Sequence, residues 1–327
     1  MHGKIGFEEH MAIAETVEQT RPFAEESDIW ETFRRQILDL DDERLEGMDK
    51  NGIEYAILSL NAPGVQAILE TDRAIEVARK GNEAMAAAVT RHPKNFGAFA
   101  ALPMQDPDAA SAELTRCVKE MGFKGAMING FTQKNVPDSA IYYDIPEYRS
   151  FWATVAELDV PVYIHPRMQI KSRAQNYEGH PWLMSAPWGF AVETSIHALR
   201  LCGSGVFEDY PNLKICLGHL GEGIPFGLER LEERMRFSPR GYRGKRPLAD
   251  YFRENFHLTV SGNFNNAPFR CTLEVMNKDH VYYSSDYPFE RMEDASDWFD
   301  ATSVVSDPRR RKIGRENAIK LFKLDLT

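Results

Sequence analysis

A closed α/β barrel of eight parallel strands, the (β/α)8 or TIM-barrel architecture, is the fold this sequence predicts. Three observations lead there. Short apolar runs alternate with longer helical segments eight times along the chain. Runs without polar alternation mean strands buried on both faces, as in a parallel sheet wrapped by helices. The length, 327 residues, suits eight such units in one barrel. The turn after the first run, Glu8-Glu9-His10-Met11, has no glycine. That argues against a doubly wound open sheet, which ordinarily carries a glycine-rich phosphate turn there. No internal repeat, low-complexity tract or linker interrupts the pattern, so residues 1–327 are expected to form a single domain.

Taken in order, the expected strands are 4–10, 55–60, 96–103, 125–130, 160–166, 213–219, 256–262 and 282–288. Each is an apolar, β-branched or aromatic run closed by Gly, Pro, Asn or His. The expected helices are 41–50, 71–91, 108–121, 147–158, 193–201, 224–236, 268–276, 292–300 and 308–322. Thr71 or Asp72 is the expected N-cap of the longest, and Gly122 the C-cap of helix 108–121. Residues 11–40 and 167–187 read as long loops, and loops of that length in compact domains are often functional.

Composition narrows the function. The formal net charge is −10, with 43% hydrophobic and 27% charged residues. An acidic chain without a long Lys/Arg run is a poor partner for nucleic acid. Arg309-Arg310-Arg311 is expected to be a solvated helix start. Four cysteines, none in a C-x-x-C, exclude a zinc ribbon and are expected to be buried free thiols. No window of about 18 apolar residues and no signal-like N-terminus is present, so no membrane association and a cytoplasmic location are expected.

In a parallel barrel, chemistry sits where the strands end at their C-terminal side. Glu8 and His10 stand there on strand one, Asn129 on strand four, His165 on strand five, His219 on strand six and Asp286 on strand eight. Glu8 and His10 are two apart and share a side of an extended strand. Each residue taken singly has a bland explanation, a hydrogen-bonded histidine or a capping carboxylate. Four strand ends carrying such groups together make a mixed N/O site for a divalent cation. His2, His92, His197, His257 and His280 lack that placement and are expected to be structural. No G-x-S-x-G, Walker loop or G-x-G-x-x-G is present, so acyl-enzyme, nucleotide and dinucleotide chemistry lack support.

Glu8-x-His10, Ile-His165-Pro, Leu-Gly-His219-Leu-Gly-Glu222 and Ser-Ser-Asp286-Tyr-Pro-Phe-Glu together resemble the amidohydrolase superfamily. The likeness is to its branch of metal-dependent, non-oxidative decarboxylases and runs nearly end to end. The resemblance implies that Glu8, His10, His165 and Asp286 hold one divalent ion, Mn2+ first and Zn2+ or Mg2+ next. It implies a carboxy-lyase acting reversibly on a 2-hydroxybenzoate, 2,6-dihydroxybenzoate before the 2,3-isomer or salicylate; a lactone or amide hydrolase is the other class. Asp286 is then the expected proton donor, and His219 with Glu222 a dyad that activates the substrate hydroxyl. Arg230, Phe23, Asn61 and Trp188 are the expected substrate contacts. A homotetramer, or a dimer within one, is the implied assembly. Hydrolytic relatives with two metals need a carboxylate or carboxylated lysine at strand four. Asn129 stands there, which favours one metal.

Overall fold

The structure, a computed structural model, describes residues 1–23 and 27–326, with the backbone alone for residues 23, 27 and 28. All eight expected strands are present and run parallel: Lys4–Met11, Ile53–Leu60, Phe96–Ala98 with Ala100–Ala101, Ala126–Asn129, Val162–His165, Ile215–Leu217, Phe256–Thr259 and Val281–Tyr282. They pair in chain order. Strand three breaks at Phe99. Its N–H donates back to Leu58 C=O (2.8 Å), while that of Ala100 donates forward to Gly125 C=O (2.8 Å). The ring closes where Asp286 N–H reaches Glu8 C=O (3.0 Å) and His10 N–H reaches Tyr287 C=O (2.7 Å).

Two apolar layers follow from the strand pattern. Between wall and helices lies a continuous shell that includes Leu58, Ile128, Ile164 and Leu217 of the strands and Val77, Ala78 and Met85 of helix Thr71–Arg91. Inside the barrel is an aromatic plug. Phe7 meets Phe322 (4.9 Å between ring centroids), Tyr282 (5.1 Å) and Tyr163 (6.0 Å), all edge to face, a geometry aromatic pairs favour. Phe322 belongs to the last helix, Asn317–Phe322, which closes the barrel floor.

Strand one does not keep a strict alternation. Its register against strand two shifts between Gly6 and Glu9, the signature of a β-bulge. Phe7 therefore enters the plug and Glu8 also faces the interior, where it meets Thr259 and Ser261. Glu9 falls on the outer side, and His10 returns to the inside. Bulges commonly re-aim side chains near active sites.

Several expectations are corrected. Residues 11–40 are not mainly loop: they hold a 3-10 turn, Val17–Phe23, and the helix Ser27–Leu38. Trp30, Phe33 and Ile37 of that helix are buried with Ala12 and Val17, an apolar spacing of three and four that charged neighbours obscured. An antiparallel hairpin, Thr132–Lys134 with Val136–Ile141, and short helices Val206–Asp209 and Leu248–Glu254 were not expected. Helix Thr71–Arg91 begins after Glu70 with no side-chain cap, so neither Thr71 nor Asp72 is the N-cap. Gly122 is the left-handed C-cap expected, with φ 70°. Segment 308–322 is interrupted by a π turn, Lys312–Glu316. The arginine cluster is not simply solvated: Arg310 donates to Thr302 C=O (2.7 Å) past helix Met292–Ala301, and Arg309 pairs with Asp279 (2.5 Å). The cysteines are free; Cys117, Cys202 and Cys216 are buried and Cys271 is half-buried. Among the described residues no helix is long and apolar enough to cross a membrane.

Candidate active site and metal centre

Glu8, His10, His165 and Asp286 converge inside the barrel mouth, with ligand-capable atoms all within 4.8 Å of one another. They are 0%, 0%, 4% and 7% exposed. His10 Nε2 lies 3.0 Å from Asp286 Oδ1, and His165 Nε2 lies 3.7 Å from Glu8 Oε1. Strand eight's ladder ends at Tyr282, short of the expected 288, so Asp286 stands just past the wall in a left-handed backbone, φ 70°.

The other atoms of these side chains are fixed by the wall. Ser59 Oγ meets His10 Nδ1 at 3.1 Å. Glu8 Oε2 accepts from Thr259 Oγ1 (3.0 Å) and from Ser261 Oγ. Glu8 Oε1, His10 Nε2 and Asp286 Oδ1, in contrast, are buried without a hydrogen-bond partner. Buried polar atoms left unpaired are costly and uncommon. Two imidazoles and two carboxylates presenting three such atoms to one point fit a divalent cation. The Ser59 contact is the outer support a metal-ligating histidine typically needs. Asn129 Nδ2 is turned to Asn61 C=O (3.2 Å), and strand four offers no carboxylate for a second ion.

Electrostatics separate the four groups. Burial pushes the Glu8 carboxyl up to about 8; Asp286 adds to this and His219 opposes it. Burial also raises Asp286, but the neighbouring His10 and His219 imidazoles outweigh it and hold that carboxyl well below its usual range. Burial, with His10 alongside, keeps His165 well below its ordinary value, hence neutral, the form a metal takes. His219 is the opposite case. Burial would lower it, but Glu222, Glu8 and Asp286 hold it well above.

His219 sits in a tight turn after strand six. Its Nδ1 meets Glu222 Oε1 at 2.8 Å and its Nε2 faces Asp286 Oδ2 at 3.5 Å. His219 and Glu222 are left-handed, with φ 52° and 60°, which costs a non-glycine residue roughly 1–2 kcal/mol. Such backbone is typical of functional sites. Two glycines make room for the site. A Cβ at Gly218 would stand 2.8 Å from Glu8 Oε1, and one at Gly262 would stand 2.7 Å from the His219 ring.

A cavity of about 530 Å³ opens over these groups, lined by His165, His219, Glu222 and Asp286 and walled by Trp188, Phe289 and Glu290. It is large enough for a single-ring ligand. Trp188, 58% exposed, lines the cavity. Asn61 does not line it: its amide is buried and locked to Thr16, accepting from Oγ1 (2.7 Å) and donating to C=O (3.0 Å). Arg230 is exposed on helix Ile224–Phe237 and is not part of the lining. The Phe23 side chain lies outside the described residues. Sequence reasoning missed Glu290, whose carboxyl is raised by burial and by Asp286; its spacing of four from Asp286 was the available signal. It also missed Ser59, Thr259 and Ser261, polar residues within apolar strand runs.

The amidohydrolase family profile matches residues 34–324. Gamma-resorcylate decarboxylase of Rhizobium sp. (strain MTP-10005) is 48% identical over 328 residues, 99% of this chain and 99% of the relative. A crystal structure of 2,6-dihydroxybenzoate decarboxylase complexed with 2,6-dihydroxybenzoate is 48% identical with a TM-score of 0.97, covering 99% of this chain and 100% of that one. The dihydroxybenzoic acid decarboxylase of Polaromonas sp. JS666, with bound manganese and the inhibitor 2-nitroresorcinol, has a TM-score of 0.97 at 48% identity, covering 100% and 98%. The cluster Glu8, His10, His165 and Asp286 matches relatives that carry manganese. The chain belongs to the amidohydrolase family, as a close homologue of its 2,6-dihydroxybenzoate decarboxylases.

Proposed function

We propose that this protein is a metal-dependent carboxy-lyase converting 2,6-dihydroxybenzoate reversibly to resorcinol and carbon dioxide. The observation that carries this reading is the intact cluster of four ligands with unpartnered atoms under a ring-sized cavity, on a backbone matching a substrate-bound decarboxylase end to end. Glu8, His10, His165 and Asp286 would hold the ion, Mn2+ first and Zn2+ or Mg2+ as alternatives. Bound there, it supplies positive charge for the substrate's carboxylate and neighbouring phenolate.

The chain's own residues then manage the proton. Decarboxylation forms a C–H bond at the ring carbon that bears the carboxylate; the C–CO2 bond breaks and its electron pair restores the ring. A ring carbon is a weak base and calls for a strong acid. Asp286, whose carboxyl is held well below the usual range, meets that need when protonated. His219, kept protonated by Glu222, faces Asp286 Oδ2 at 3.5 Å and stabilises the carboxylate that the proton transfer leaves behind. Solvent restores the proton consumed in each turnover. Trp188 and Phe289 bound the ring's space. Asn61 supports the loop through Thr16 instead of touching substrate. Arg230 is solvent-facing within one chain.

The same reading takes residues 1–327 as one domain, the location as cytoplasmic and the assembly as a homo-oligomer, a dimer or tetramer. The four free thiols agree with a reducing compartment, and Phe226 and Phe237, 92% and 84% exposed, supply apolar surface for association. The test is an ultraviolet assay of Mn2+-loaded protein with 2,6-dihydroxybenzoate, 2,3-dihydroxybenzoate and salicylate in parallel, trapping carbon dioxide. Resorcinol and carbon dioxide from the first compound are expected. Turnover of another isomer alone would move the substrate; turnover of none, with metal bound, would sink the decarboxylase reading and send the search to lactones.

A further inference from the structure

Strands one and eight meet without a regular ladder. Two backbone hydrogen bonds close the seam at its rim, Asp286 N–H to Glu8 C=O and His10 N–H to Tyr287 C=O. Below them side chains take over. Ser284 Oγ accepts from the N–H groups of Phe7 (3.1 Å) and Glu8 (2.7 Å) and donates to Glu9 Oε1 (2.7 Å). Glu9 Oε1 also accepts from Ser285 N–H (2.8 Å), and its Oε2 from Ser285 Oγ (2.6 Å). Glu9 thus receives three hydrogen bonds from the two residues immediately before Asp286.

Glu9 is 1% exposed and lies outside the barrel wall, away from the cavity and the cluster. The bulge puts it there, and Gly6 makes the space, since a Cβ at Gly6 would run into Glu9 Oε1. From the other side of the seam Arg44, also fully buried, donates to His10 C=O (2.6 Å) and lies over the Tyr287 ring at 4.8 Å. A buried carboxylate fully occupied in holding one short segment is a costly device for stability alone, because an apolar residue could fill the same volume. What it fixes is the start of the left-handed turn that aims Asp286 Oδ1 at His10 Nε2, 3.0 Å away.

We infer that Glu9 is a positioning residue. By holding Ser284 and Ser285 across the seam it sets the Asp286 carboxylate against the other three ligands, and so sets metal affinity without touching metal or substrate. This rests on reading the four-residue cluster as a metal site and is independent of the substrate.

The test measures Mn2+ dissociation constants by electron paramagnetic resonance of the free ion, with circular dichroism confirming folded, metal-free protein. Glu9→Ala removes all three bonds and is expected to weaken Mn2+ binding at least about tenfold, the scale seen when outer supports of metal ligands are lost. Ser285→Ala removes one bond and guards against a Glu9→Ala protein that does not fold; a loss of a few-fold is expected. Glu9→Gln can still accept at Oε1, and the Ser285 hydroxyl can rotate to accept from its amide, so it should bind more tightly than Glu9→Ala. An unchanged constant in folded Glu9→Ala or in Ser285→Ala would overturn the assignment, as would Glu9→Gln binding as weakly as Glu9→Ala. Wild-type protein that binds no Mn2+ would instead remove the metal-site reading itself.

Discussion

The two ends of the barrel interior are built on opposite terms. At the floor, Phe7, Phe99, Tyr163, Tyr282 and Phe322 interlock as an aromatic plug; the tyrosine hydroxyls of Tyr163 and Tyr282 are satisfied by Thr259 and His257. At the mouth, one to four residues further along the chain from Phe7 and Tyr282, Glu8, His10 and Asp286 each keep a buried atom unpartnered, and His219, Glu222 and Asp286 hold left-handed backbone. The floor maximises packing and leaves nothing to bind. The mouth gives up stability to keep charge and hydrogen-bonding capacity free for ion and substrate. The bulge after Gly6 lets adjacent residues Phe7 and Glu8 serve the two ends.

That contrast can be broken first at the mouth. Asp286→Asn should lower kcat for decarboxylation by about 10²–10⁴-fold, the usual share of a positioned proton donor, with the far-ultraviolet circular dichroism unchanged. Activity within a few-fold of wild type would remove Asp286 from the proton path. The reverse experiment is Phe322→Ala at the floor. It should cost about 3–5 kcal/mol of unfolding free energy in denaturant and leave the Mn2+ dissociation constant of the folded protein unchanged. A large loss of metal affinity there would mean that the two ends are coupled.

A narrower probe is Gly218→Ala. Its methyl group must displace Glu8 Oε1, which it would approach to 2.8 Å, so Mn2+ affinity should fall about tenfold with little change in melting temperature. Preserved affinity would show that the Glu8 carboxylate has room to move. The smallest effect concerns acid stability. Burial, and Arg200 nearby, lower His197 to about 3 from an ordinary value of 6.5, and its Nε2 accepts from Tyr143 N–H at 3.4 Å. Between those pH values the unfolded chain binds a proton that the folded chain refuses, so stability falls as pH falls through that window. One such group contributes a slope of up to about 1.4 kcal/mol per pH unit. His197→Gln should flatten the curve measured by denaturant titration between pH 4 and 6; an unchanged slope would place the acid sensitivity elsewhere, for example at His257, which burial also holds low.

The barrel was legible because both sheet faces are buried, so the strand runs stay apolar and stand out between helices. The metal ligands were legible because each is a polar residue at the end of such a run. The helix Ser27–Leu38 was not, since Glu31, Arg34 and Arg35 break up its apolar face in the sequence. Glu9 was hidden beside Glu8: the spacing of two from His10 picked out Glu8 as the ligand, and nothing in Glu-Glu-His shows that its outward neighbour is buried and bonded to Ser284 and Ser285. The Asn61 pairing was not legible because its partner, Thr16, lies 45 residues away, a contact only the fold creates. Arg230 was placed by likeness, and a single chain leaves it in solvent.

The most direct test of the mouth's design is a crystal structure of the protein loaded with Mn2+, with anomalous scattering recorded near the manganese edge. One anomalous peak per chain among Glu8, His10, His165 and Asp286, within bonding distance of Glu8 Oε1, His10 Nε2 and Asp286 Oδ1, is the predicted result. No peak there at saturating Mn2+, or a peak at another site, would contradict the claim that those unpartnered atoms exist to hold the metal.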